Sequence, residues 1–373
     1  MNNLVISIAV LILSIYAIAY FTIQSVEIRV KQLIIEKNQN QLITIRDSKK
    51  QQVISYLTEL HKQIKLYSND KNVIATIYNL NNISKNSKNL MDKYYSHINQ
   101  YHGDIEDILL VNIETDTIVY SVNKNVKFTT LPSSPLNLLF QQVNSSNQTK
   151  IIDFTPYFQF HNTYAAFLGT PVFSNGKKIG ILVLQINSEY INTIMTYSKN
   201  WQSEKSGNTG ESYIVAIDGT MRNDSRKLVE YKEDYLLAIE QAGLSNDIVT
   251  KINLKNTSIG LQKVNTPGTE AVFIGITGQD LYIDYNDEFV FAVFTPLNIF
   301  GLQWAVFATI EENEVLELVA EFTDKITDTI IQIAVIILII ASLLLWLVIP
   351  TKPLIAPKGY TVKQIIEHIN KLR

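Results

Sequence analysis

The chain has 373 residues and a formal charge of −3, with 32 Lys and Arg against 35 Asp and Glu. That balance gives no electrostatic case for a nucleic-acid partner. It contains no cysteine, which excludes disulfides, thiol nucleophiles and Cys-ligated metals.

Two uncharged apolar runs sit at the ends: LVISIAVLILSIYAIAYFTIQSV over 4–26 and TIIQIAVIILIIASLLLWLVI over 329–349. As helices rising about 1.5 Å per residue, each is long enough to cross a hydrocarbon core of roughly 30 Å. Ala17-Ile18-Ala19 would suit a signal cleavage site. Yet no Lys or Arg precedes the run and it is longer than a usual signal h-region, so an uncleaved anchor is expected. Residues 351–373 carry Lys352, Lys358, Lys363, Lys371 and Arg373 against the single acid Glu367. This is the positive-inside pattern of a cytoplasmic C-terminus. The expected protein is a two-pass bacterial inner-membrane protein with about 300 residues outside, enough for two core-forming units.

No Gly or Pro occurs before Gly103, which favours continuous helix. Val53, Leu57, Leu60, Ile64 and Tyr67 recur at spacings of four and three, with Leu42 and Ile45 extending the stripe backwards. That predicts a long helix emerging from the membrane, whose stripe packs on its own domain and also offers a homodimer seam. Ser68-Asn69-Asp70 marks a break, and a second helix is expected to about Ile98, completing a 27–100 helical region.

From 101 to 190 the texture changes to strands at 108–111, 117–120, 150–154, 164–173 and 179–186. A loop with Pro132 and Pro135 separates the second from the third, and Ser174-Asn175-Gly176-Lys177 joins the last two as a hairpin. Without βαβ spacing these strands predict an antiparallel sheet in an α+β fold. The texture recurs over 191–310: a connecting helix at 188–201, a strand at 213–217, a helix at 234–241, and strands at 271–277, 281–285, 289–296 and 302–310. A helix over 311–328, with Glu311, Glu312 and Glu314 in its first turn, leads into the second apolar run.

Three stretches carry a family resemblance. One is Pro156-Tyr157, then Ala165 through Phe173, then Gly176-Lys177-Lys178-Ile179-Gly180-Ile181. The others are Thr209-Gly210-Glu211-Ser212-Tyr213 and Met221-Arg222-Asn223-Asp224-Ser225-Arg226. Together with the order span, long helix, two modules, span, they resemble the double Cache sensor domain of bacterial transmembrane receptors. The likeness covers roughly residues 27 to 328 and is similar to sensors on nucleotide cyclases and chemoreceptors. It implies two PAS-like modules, with a small molecule bound in the membrane-distal one. The amino-acid-binding subset resembles an R-x-W-Y cluster with a later Tyr and an Asp in the last strand. Here Tyr157 matches that Tyr, Gln185 stands where the Asp would be, and no Arg or Trp lies between Arg46 and Trp201. With neither a buried carboxylate nor an Arg fork in view, a standard amino acid is not the expected ligand.

The expected distal binding residues are Asp153, Tyr157, His161, Tyr164, Gln185 and Tyr120, one negative charge among several rings. Arg222, Asp224 and Arg226 are expected to tie down a turn by internal ion pairs. Asp280, Asp284, Asp287 and Glu288 lack the spacing of a calcium loop, and the five His show no metal spacing. There is no phosphate-cradling Gly loop, nucleophile elbow or triad, so no catalytic residue, metal or cofactor is assigned. The tail over 350–373 holds one short helix, too little for a kinase, cyclase or methyl-accepting domain. The expected output is therefore either missing from this chain or supplied by a partner. Two functions remain open: a small-molecule sensor signalling through the second span, or an anchored module that binds another envelope protein.

Overall fold

The computed structural model describes residues 2–78, 89, 92–97, 100, 105–122, 135–157, 163–201, 206–348 and 362–371. The chain divides into two compact units, Leu33–Leu318 and Met1–Gln32 with Val319–Arg373.

The first apolar run and the striped segment form one helix, α1 (Asn2–Ser68), of 67 residues. It stops where predicted. The Asp70 carboxylate accepts from Asn72 N at 2.7 Å and its carbonyl from Ile74 N at 3.1 Å, opening α2 (Lys71–Tyr78). The rest of the expected second helix falls mostly outside the described residues, although 92–97 are helical.

The first module, expected to be the membrane-distal one, is a five-stranded antiparallel sheet of β1 (Ile105–Asn112), β2 (Thr117–Ser121), β3 (Lys150–Tyr157), β4 (Thr163–Ser174) and β5 (Lys177–Ile186), ordered β2-β1-β5-β4-β3. Asn175 and Gly176 take φ of 50° and 77°, the left-handed pair that a two-residue hairpin needs. The stretch expected as a loop at Pro135 is instead helix α3 (Pro135–Ser146). Proline fits the first helical turn, and Leu136, Leu139, Phe140 and Val143 then bury one helical stripe.

The proximal module is a four-stranded antiparallel sheet, β6 (Glu211–Ala216), β7 (Gly278–Ile283), β8 (Phe289–Ile299) and β9 (Leu302–Glu311), ordered β6-β9-β8-β7. The predicted connecting helix is shorter: α4 (Glu189–Met195) ends at Thr196, and Tyr197, Ser198 and Lys199 all take positive φ. Between β6 and β7 lie α5 (Arg226–Glu230), α6 (Lys232–Gln241), α7 (Asn246–Lys255) and α8 (Pro267–Phe273). The strand expected at 271–277 is lost to α8. Thr266 and Thr269 close a reciprocal capping box and Pro267 presets the first turn, so local capping outweighs the β-branched run that follows. After β9, α9 (Glu312–Val348) runs unbroken into the second apolar run, and α10 (Val362–Lys371) follows. Both α1 and α9 contain windows long and apolar enough to cross a membrane, and none of either window is buried.

The α1 stripe holds the two modules in one core. Leu57, Leu60 and Ile64 pack in the same cluster as Leu182 and Leu184 of the distal sheet and Trp304 and Val306 of the proximal one. Further down, Leu42 and Ile45 meet Phe291, Val293 and Ile310. Because this chain covers its own stripe, pairing through α1 would have to use the opposite side of the helix.

Leu60 is fully buried whereas Leu66, on the same helix, is 69% exposed. Leu60→Ala is expected to cost about 2–5 kcal/mol in chemical denaturation, and Leu66→Ala less than about 0.5 kcal/mol. Equal effects would mean the stripe is not what joins the modules.

Candidate functional site

Alternation along β5 sends Leu182, Leu184 and Ile186 to the α1 side and Ile181, Val183 and Gln185 to the α3 side. Gln185 pairs across the sheet with Asp107 of β1 and Phe167 of β4. Asp107 and Gln185 are each 2% exposed, and the Gln185 Nε2 finds no hydrogen-bond partner among the described residues. Ser121 Oγ donates to Asp107. Tyr157 is also 2% exposed and stands edge-on to Phe167 with ring centroids 5.0 Å apart. Burial, and then the nearby Asp107 charge, hold the Tyr157 hydroxyl well above the usual phenol range. A carboxylate, an amide and two rings thus share the α3-facing side of the distal sheet. It can present a negative charge and an aromatic face to a cationic group.

Tyr157 and Gln185 come together on this side. Tyr120 sits on the α1 side of β2, and its hydroxyl donates to Asp92 at 3.3 Å. Asp153 faces the other module. Its carboxylate accepts from Arg222 Nε at 3.0 Å and Nη2 at 2.9 Å, and from Trp304 Nε1 at 3.0 Å. The Tyr164 hydroxyl likewise donates to the Gly260 carbonyl at 3.0 Å. His161 lies outside the described residues. Asp107 went unread in the sequence, and it supplies the buried carboxylate that seemed to be missing. The available signal is a lone acid in step with Leu109 and Val111, on what is otherwise an apolar side of β1.

The Arg–Asp–Arg alternation also resolves differently from the expectation of pairs within one turn. Arg222 bridges Asp153 and Asp218, the latter at 2.9 Å. Asp224 accepts from Asn192, Thr257 and Ser258, and Arg226 binds Glu230 and the carbonyls of Gly207 and Gly210. The three side chains each anchor a different neighbour. Among the described residues no group of three His, Asp or Glu is arranged to hold a metal ion.

Two acids lie buried in the proximal core. Glu211 accepts from Tyr285 Oη at 2.8 Å and Ser225 Oγ at 3.3 Å; Asp284 accepts from Tyr213 Oη at 3.1 Å and Tyr285 N at 2.7 Å. Burial pushes Glu211 up to about 7, with the Tyr285 hydrogen bond opposing and the Asp284 charge adding. Burial also raises Asp284 to about 6, against the hydrogen bonds from Tyr285 and Tyr213. An acid raised on folding binds its proton more tightly in the folded state. Its contribution is complete below the unfolded pKa and is lost as pH rises through the folded one. Unfolding free energy is therefore expected to fall between about pH 4 and 7, by up to roughly 1.4 kcal/mol per pH unit for each group. Glu211→Gln should flatten the upper part of that slope in denaturant titrations. A stability that rises over this range would contradict the assignment.

The sequence profile of the Cache domain family matches residues 29–319. No curated protein sequence matches the chain significantly. The extracellular domain of vpHK1S-Z8, a protein named as a histidine kinase, superposes with a TM-score of 0.52 at 11% identity, over 76% of this chain and 96% of that one. The sensory domain of the Campylobacter jejuni chemoreceptor Tlp3 gives 0.49 at 12% identity, over 77% and 98%. An extracellular ligand-binding receptor from Desulfohalobium retbaense gives 0.45 at 14% identity, over 72% of this chain but only 40% of that receptor. With a profile match across most of its length and the long helix and two antiparallel sheets in place, the chain belongs to the double Cache family of extracytoplasmic sensor domains.

Proposed function

We propose that this protein is a two-pass inner-membrane receptor whose distal module binds a small cationic molecule, with Asp107, Gln185 and Tyr157 as the recognition wall. The observation that carries the reading is Asp107, a buried carboxylate lying directly across the sheet from a buried amide whose Nε2 is unpaired among the described residues. A carboxylate beside aromatic rings is the chemistry that holds a ligand ammonium. The chain's Arg residues are Arg29, Arg46, Arg222, Arg226 and Arg373, so the distal module has none to fork a ligand carboxylate. An amine without a carboxylate fits better than an amino acid. We read the chain as a sensor, not an enzyme.

In this reading residues 101–190 are the ligand-binding module, 191–310 the relay, and 4–26 and 329–349 the spans, with the C-terminus cytoplasmic. Ligand binding biases two arrangements of the modules. The bias has a covalent route, since β9 ends at Glu311 and α9 begins at Glu312. It also has a polar route, since Asp153 of β3 holds both Arg222 and Trp304. A second reading, an anchored module that docks another envelope protein, is favoured by one feature. Edge strand β7 leaves Leu281 and Ile283 exposed beside Phe289.

The test is a thermal-shift screen of residues 27–328 with amines, amino acids, organic acids and purines. An amine at about 100 times its Kd should add about 2.7 kcal/mol and raise Tm by a few degrees, and Asp107→Asn should abolish that shift. If an organic acid is the ligand and Asp107→Asn leaves its shift intact, the cationic assignment fails. Silence across the whole set moves the weight to the docking module.

A further inference from the structure

The last helix, α10, has no part in that reading. Its sequence VKQIIEHINK sets positions 362, 365, 366 and 369, all Val or Ile, on one side of the helix, within an arc of roughly 100°. Lys363, Glu367, His368 and Lys371 fall on the remaining positions. Ile366 and Ile369 are 54% and 59% exposed, so none of the described residues covers that side. The sequence around it is cationic. Lys352, Lys358, Lys363, Lys371 and Arg373 face only Glu367, and residues 349–361 alone separate α10 from the end of α9.

Two copies paired along that side would bring like charges together. A ten-residue helix is marginal in water without a surface to bury its apolar side. An anionic bilayer surface satisfies both features. It takes the isoleucines at the acyl boundary and keeps the lysines within a Debye length of the negative charge. We propose that α10 lies flat on the anionic cytoplasmic surface of the membrane, with its Ile366–Ile369 side down, Lys363 flanking the lipid headgroups and Lys371 within a Debye length of them. This rests on 329–349 being a membrane span, which would keep α10 near that surface.

Because the chain has no cysteine, one can be introduced at a chosen position and labelled with an environment-sensitive fluorophore in the full chain. Ile369→Cys reports α10 and Ile337→Cys reports the span, both in nanodiscs of phosphatidylcholine with or without phosphatidylglycerol. The expected result is a blue shift at position 369 that appears with phosphatidylglycerol. Spin-labelled lipid should quench it, and the double substitution Lys363→Glu with Lys371→Glu should remove it. If position 337 is quenched by lipid while 369 stays in water, the docking alone is overturned. The same holds if 369 is shielded without lipid quenching, as it would be on a second copy or a protein partner. If 337 is not quenched, the span reading fails and the proposal falls with it.

Discussion

The fold depends on one face of one helix. Between Leu42 and Tyr67, α1 buries a single stripe, and both sheets close on it. Among the described residues neither sheet has another partner of comparable length on that side, so removing the stripe would expose the apolar backs of both at once. The fit is tight at the upper end as well. At Gly180 any Cβ would meet Ile77 and the Val111 carbonyl, each at 2.7 Å, which is why β5 carries a glycine where α2 crosses it. Even the polar residues of α1 serve the packing. Lys49 is 1% exposed, gives its ammonium to the Ile194 carbonyl at 2.6 Å, and lies over the Tyr197 ring.

With the modules held from behind, the junction in front sets polar contacts beside the stacking of Phe154 on Trp304. Arg222, 3% exposed at its side chain, grips Asp153 from the other module while Trp304 donates to the same carboxylate. Buried pairs of this kind contribute little net stability, because desolvation offsets most of their attraction. Their use is to fix a geometry, since a half-made pair is costly. The Tyr164–Gly260 contact is specific in another way. Gly260 has φ +67°, and any Cβ there would collide with the Tyr164 ring. The two modules therefore share a greasy spine and a polar latch, and only the latch is directional.

What the sequence disclosed follows the range of the interactions involved. The α1 stripe, the Asp70 break and the Asn175-Gly176 hairpin are set by residues within a few positions of one another, and all could be read. The helix at Pro135 is obscured because proline marks loops as readily as first turns, although an apolar stripe follows it. The segment at 271–277 has strand-forming residues, but the capping residues just before it decide the outcome. In the distal wall, Tyr157 and Gln185 were legible through the family pattern. Asp107 was not, because its place depends on β1 lying beside β5, which local pattern does not encode. The Arg222–Asp153 pair was hidden for the same reason. Asp218 and Asp224 stood near in sequence and offered a local explanation of the charges.

The start of α9 is held in an unusual manner. Glu314 is taken by Asn208 N and Thr209 N, both at 2.8 Å, and by Thr209 Oγ1 at 2.6 Å, while Gly207 at φ +79° leaves room for its carboxylate. Hydrogen bonds to a charged group are each worth roughly 1.5–3 kcal/mol, and these three share one acceptor. Rotation of the first turn of α9 strains all three together, so they hold together or release together. In the proposed relay the loop over 206–210 would act as a detent: small displacements of the sheet would be absorbed, and only one large enough to free Glu314 would turn the helix.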